Sequence, residues 1–140
     1  MRIGLSIAVL LAGILMGAVL TPVLSGAGPE RRVFEIRTYT THDGKLEALH
    51  TRFRNHTMRL FEKHGMTNVA YWTPQDPELA GRTLVYVLAH SSRDAARRSW
   101  EAFRTDPEWV KVKAESEAQG PVVSKVDSVF GDPTDYSPLK

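Results

Sequence analysis

From residue 33 the chain alternates apolar and polar positions. The stretch VFEIRTYTT (Val33–Thr41) puts Phe34 and Ile36 on one side and Glu35, Arg37 and Tyr39 on the other, the period-two signature of a β-strand. His42-Asp43-Gly44 reads as a turn. Over residues 45–64 the period lengthens to 3.6, with Leu46, Leu49, Phe53, Leu60 and Phe61 on one stripe of an amphipathic helix. Gly65 is placed to end that helix in a left-handed conformation, with Lys63 and His64 near the negative end of the helix dipole. Residues 67–73 (TNVAYWT) are aromatic and β-branched enough for a second strand. Residues 74–81 carry two prolines and an Asp-Pro step, so they read as a loop.

Residues 82–90 (RTLVYVLAH) form the most strand-like run. Leu84, Tyr86 and Leu88 lie on one face and Val85, Val87 and Ala89 on the other, so both faces are apolar and the strand is expected to be central. A serine at 91 or 92 caps a helix over residues 93–104. Asp106-Pro107 starts another, with aspartate at the cap and proline in the first turn, and Gly120-Pro121 stops it. Residues 122–130 alternate again as a fourth strand. The order β-α-β-β-α-β predicts an α+β, ferredoxin-like sandwich in which the first and third strands are central and the helices cover one face. The second apolar row of the third strand then needs a cover that so small a domain cannot supply. A second copy packed sheet against sheet is the expected cover.

Ahead of the domain, residues 1–27 hold a single basic residue, Arg2, then an uncharged apolar run, then the small residues Ser25-Gly26-Ala27. That layout fits a secretory signal peptide, which implies a periplasmic or extracellular protein. The uncharged run is also long enough to span a bilayer, so an uncleaved N-terminal anchor stands as the alternative. The domain itself is expected over residues 32–131, with a C-terminal tail at 132–140. Of its 140 residues 42% are apolar and 24% charged, the composition of an ordinary globular domain. The absence of cysteine excludes disulfides and thiolate chemistry. Without Arg2 the formal net charge falls from +2 to +1, which leaves no footprint for nucleic acid and no basic block for lipid.

Several motifs fall in a recognisable order. Glu35 to Thr40 (EIRTYT), the Gly44-Lys45 turn into a helix, Tyr71-Trp72-Thr73, the Asp106-Pro107-Glu108-Trp109 helix start and Tyr136-Ser137-Pro138-Leu139 together resemble the NIPSNAP family over nearly the whole chain from Arg32. The resemblance implies a ferredoxin-like domain that pairs into a dimeric α+β barrel. It also implies fold-level kinship with small cofactor-free monooxygenases, isomerases and haem-degrading proteins, although fold does not give function. The chain departs from the family in lacking a tryptophan near the end of its third strand and in carrying an export leader rather than a mitochondrial one.

No phosphate-cradling loop, nucleophile elbow or dinucleotide fingerprint occurs, so no cofactor is expected. His50, His56 and His64 are spaced by six and eight along the first helix, not by the three or four residues that place metal ligands on one face, and no metal site is expected. His56 borders the apolar stripe and His90 ends the central strand on the face of Tyr86. Each is a candidate proton-transfer group or a structural boundary residue. Glu35, Arg37 and Tyr39 are expected on the outer face of the sheet, lining the barrel lumen as an ion pair or gripping a carboxylate. Trp72, Tyr86 and Trp100 are candidates to shape a ligand pocket. In the tail, Tyr136 and Leu139 suit an extended segment laid across a partner subunit, or a frayed end. Two functions follow: a homodimeric small-molecule binding or accessory protein, or a small cofactor-independent enzyme, monooxygenase- or isomerase-like, with its pocket between helices and sheet.

Overall fold

The computed structural model describes residues 32–140. The signal peptide or anchor expected over residues 1–27 lies outside them. Strands β1 (Val33–Thr41), β2 (Thr67–Trp72), β3 (Thr83–His90) and β4 (Val123–Gly131) form one antiparallel sheet in the order β2-β3-β1-β4. The first and third strands are therefore central, as the hydrophobic pattern requires. The predicted first helix is a continuous rod with an irregular middle: α1 (Leu46–Arg52), a π-helical segment (Phe53–Thr57) and α2 (Met58–Lys63). Gly65 follows with φ +78°, the left-handed geometry that its lack of a Cβ permits.

The loop before β3 contains one helical turn, α3 (Pro77–Ala80). After β3 come α4 (Arg93–Thr105), with Ser92 Oγ accepting from the Ala95 amide at 3.0 Å, and α5 (Pro107–Ser116). Asp106 caps α5 through Oδ1 on the Glu108 amide at 2.8 Å, while its Oδ2 accepts from Lys63 Nζ at 2.6 Å and meets His64 Nε2 at 2.7 Å. One carboxylate thus ties the end of α2 to the start of α5. Among the described residues no helix is long and apolar enough to cross a membrane.

The helices lie on one face of the sheet. Leu49, Phe53, Leu60 and Phe61 from the first rod, and Trp100 and Phe103 from α4, pack on Leu84, Tyr86 and Leu88 of β3. Each such side chain contributes about 1.5–3 kcal/mol of transfer free energy. Among the described residues most of the other face is bare, with Phe34 and Ala89 buried at one end. Ile36 is 45% exposed, Trp72 53% and Val129 63%, and Val85 and Val87 beside them are half-buried.

The facing of β1 differs from expectation. Glu35, Arg37 and Tyr39 stand opposite Leu88, Tyr86 and Leu84, on the face under the helices. Phe34 and Ile36 point to the bare face. Alternation fixes which residues share a side, and burial of the charged row is made possible by partners that other elements bring to it. The tail ends beside the start of β1, where Arg32 Nε donates to the Lys140 carbonyl at 2.9 Å. Tyr136 and Leu139 stay exposed.

Candidate functional site

Between α4–α5 and the sheet runs a trough floored by β1 and β4. Its successive rungs are Glu35 opposite Phe130, Arg37 opposite Ser128 and Tyr39 opposite Val126. At the first rung the Glu35 carboxylate, 1% exposed, is saturated with donors. Oε1 accepts from Arg37 Nη1 at 2.6 Å and Ser128 Oγ at 2.8 Å; Oε2 accepts from Trp100 Nε1 at 2.7 Å and His90 Nε2 at 2.9 Å. Burial opposes ionisation of Glu35, but the bonds from His90, Trp100, Arg37 and Ser128 outweigh it and lower its pKa to about 2. An ionised carboxylate only accepts, so His90 carries a proton on Nε2, and its buried Nδ1 has no partner among the described residues. Arg37 is clamped from the other side by the Trp100 ring, 4.1 Å from the guanidinium carbon to the ring centre.

At the third rung the layers part around a cavity of about 300 Å³. Tyr39 and Val126 form its floor; Phe53, Phe61, Phe103 and Trp109 form its walls. The π-helical segment contributes Phe53 and Thr57, and such wide turns often accompany functional sites. Thr57 Oγ1 donates to the Arg52 carbonyl at 3.2 Å. The Arg52 side chain, 3% exposed, enters the cavity between α1 and α5. Its Nη1 donates to Ser116 Oγ at 3.1 Å and Glu117 Oε1 at 3.2 Å, its carbon lies 5.4 Å from the Trp109 ring centre, and its buried Nε has no partner among the described residues. An aromatic box with one guanidinium suits a planar, largely apolar molecule carrying one acceptor or negative group.

The NIPSNAP family profile matches residues 34–138. The chain belongs to the NIPSNAP family. A NIPSNAP family protein of unknown function from Agrobacterium tumefaciens is 20% identical, with a TM-score of 0.68 over 79% of this chain and 96% of that one. An uncharacterised NIPSNAP-like domain protein from Burkholderia xenovorans is 14% identical, with a TM-score of 0.66 over 79% and 91%. Beyond the family, the cofactor-independent oxygenase SnoaB of Streptomyces nogalater is 16% identical, with a TM-score of 0.51 over 77% and 98%. At these identities the likenesses establish the fold. Among curated proteins no match was found.

In this NIPSNAP chain the residues named from sequence are distributed differently from expectation. His56 does not reach the cavity. It lies on the outer side of the first rod, in a groove against Val112, Glu115 and Ser116 of α5, because α5 packs beside that rod and not beneath it. His90 does not reach solvent; at 2% exposure it is consumed by Glu35. Trp72 pairs with Val85 and lines a separate groove with His50, Phe53, Tyr71 and Leu84, not the aromatic cavity. Tyr86 is fully buried beneath the rod, with its hydroxyl unpartnered among the described residues and its pKa pushed well up by burial and by nearby Tyr39. Trp100 sits under α4 as the donor to Glu35. Glu35 and Arg37 pair with each other beneath the helices, away from any lumen on the open side, and Tyr39 floors the cavity.

Arg52, Thr57 and Trp109 escaped sequence reasoning. The usable signal was Arg52 itself, a charge set between Leu49 and Phe53 inside the apolar stripe of the first helix. A cation there must find buried partners, and it finds them on α5.

Proposed function

We propose that this NIPSNAP-family chain is an exported homodimeric protein that binds a planar, mostly apolar small molecule in the cavity between its helices and its sheet. The observation that carries the reading is the 300 Å³ aromatic cavity with the buried, incompletely paired guanidinium of Arg52 at its side. The ligand's acceptor or carboxylate would engage Arg52, and its body would stack among Phe53, Phe103 and Trp109. Export rests on the leader-like residues 1–27; if they are retained, the same domain is tethered at the membrane.

Dimerisation follows from the bare face. Four strands at about 4.8 Å spacing and eight residues at about 3.4 Å give a projected face of roughly 500 Å² per copy. A pair then buries about 1,000 Å², the lower bound for a specific interface. A second copy is the occupant whose shape and apolarity match by symmetry.

The enzyme reading draws on the shared fold with an oxygenase. Neither His56 nor His90 opens into the cavity, whose titratable lining is Tyr39, Arg52, Lys113 and Glu117. Binding is the reading that this geometry favours.

The test is a thermal-shift screen of aromatic carboxylates on the wild type and on Val126→Trp, which fills the cavity mouth from a half-exposed strand position. Stabilisation of the wild type alone is expected; a ligand held 100-fold above its Kd adds about 2.7 kcal/mol. A screen with no stabilising compound, or a hit that Val126→Trp binds equally well, would count against the proposal.

A further inference from the structure

A second groove, of about 420 Å³, opens at the far end of the trough between α4 and β4. We infer that it is a binding site for a small oxyanion group, a carboxylate, a sulfate or a phosphate monoester, separate from the aromatic cavity. Arg93, Arg97 and Arg104 occupy steps 0, 4 and 11 of α4 and, at about 100° per residue, fall within about 40° of one another on the helix surface. All three line the groove.

Two features distinguish this group from an ordinary solvated face. The Arg93 guanidinium is laid over the Phe130 ring, 3.8 Å from its centre, which holds the arm down across the strand. Beneath it the floor is itself a guanidinium: Arg37, gripped between Trp100 and Glu35, has a buried Nε with no partner among the described residues.

The charges do not cancel locally. Four arginines line the groove against Glu35 and Asp94. Glu35 is spent on four donors, and Asp94 reaches Arg97 Nε only at 3.9 Å. Among the described residues Arg93 and Arg104 have no carboxylate partner. In a chain whose formal charge is only +2, this groove concentrates positive charge with planar donors of the kind that fork onto oxyanions.

The experiment titrates the full chain with sodium sulfate, and separately with sodium acetate, at constant ionic strength. Because sulfate stabilises proteins by exclusion whatever their surface, the readout is a saturable NMR shift of the Arg37 Nε–Hε and Ser128 amide resonances, not a melting temperature. Saturation in the wild type and at least about tenfold weaker binding in Arg93→Gln/Arg97→Gln/Arg104→Gln are expected, all three positions being exposed and tolerant of change. Tighter sulfate than acetate indicates a tetrahedral group, and the reverse a carboxylate. Val126→Trp should bind the anion as wild type does, which separates this site from the cavity. A linear, non-saturating shift, or an unchanged affinity in the triple variant, would overturn the inference.

Discussion

On the face of the sheet beneath the helices, β1 contributes a carboxylate, a guanidinium and a phenol; on the bare face it contributes Phe34 and Ile36. Charge is buried where a lone domain ought to be driest, while Ile36 is left to water and only Phe34, at the end of the face, is buried. The two faces differ in what meets them. Over the covered face α4 and β3 deliver Trp100 and His90 as donors, so the Glu35 charge is fully compensated. Over the bare face the described residues bury Phe34 and Ala89 at one end and leave Ile36 uncovered. A buried ion is tolerable only as a complete network, because removing one member strands the others.

The most severe way to break this contrast is Glu35→Ala, which leaves the Arg37, His90 and Trp100 donors buried without an acceptor. It should cost about 3–5 kcal/mol in urea denaturation, and a loss below about 1 kcal/mol would show the network to be dispensable. The same carboxylate sets an acid limit. Its folded pKa lies below the ordinary 4.5, at about 2, so its stabilisation is complete above pH 4.5 and drains away as pH falls toward 2. The amount at stake is about 3 kcal/mol. Glu35→Gln should flatten stability over that window.

A smaller effect is expected on the bare face. Ile36→Lys should leave the stability of an isolated copy within about 0.5 kcal/mol while converting a dimer to a monomer in sedimentation equilibrium. A wild type that sediments as a monomer at micromolar concentration would remove the sheet-to-sheet pairing altogether. The smallest effect belongs to the fully solvated pair of Arg54 and Glu47, 2.9 Å apart, where Glu47→Ala should leave the urea midpoint unchanged.

Much of the architecture was legible in the chain because its local signals agree. Gly65 ends the first helical rod, Asp106-Pro107 opens α5, and the doubly apolar β3 is central. The sidedness of β1 was not legible, since alternation has no sign: Phe34 and Ile36 look like the inward row until Trp100 and His90 are known to reach Glu35 from 65 and 55 residues away. The position of His56 was missed for a related reason. A helix wheel gives an angle but not the neighbour at that angle, which here is α5. The arginine groove did leave a trace, the recurrence of Arg93, Arg97 and Arg104 along one line of α4.

The three tryptophans fall one to each surface: Trp100 under the arginine groove, Trp109 in the cavity wall and Trp72 on the bare sheet face. Indole emission shifts to the blue in a dry setting and to the red in water, so the chain carries three separately addressable optical reporters. With Trp100 kept as the donor to Glu35, replacing Trp72 or Trp109 by phenylalanine one at a time would assign the colour changes of subunit association and ligand entry to their own indoles.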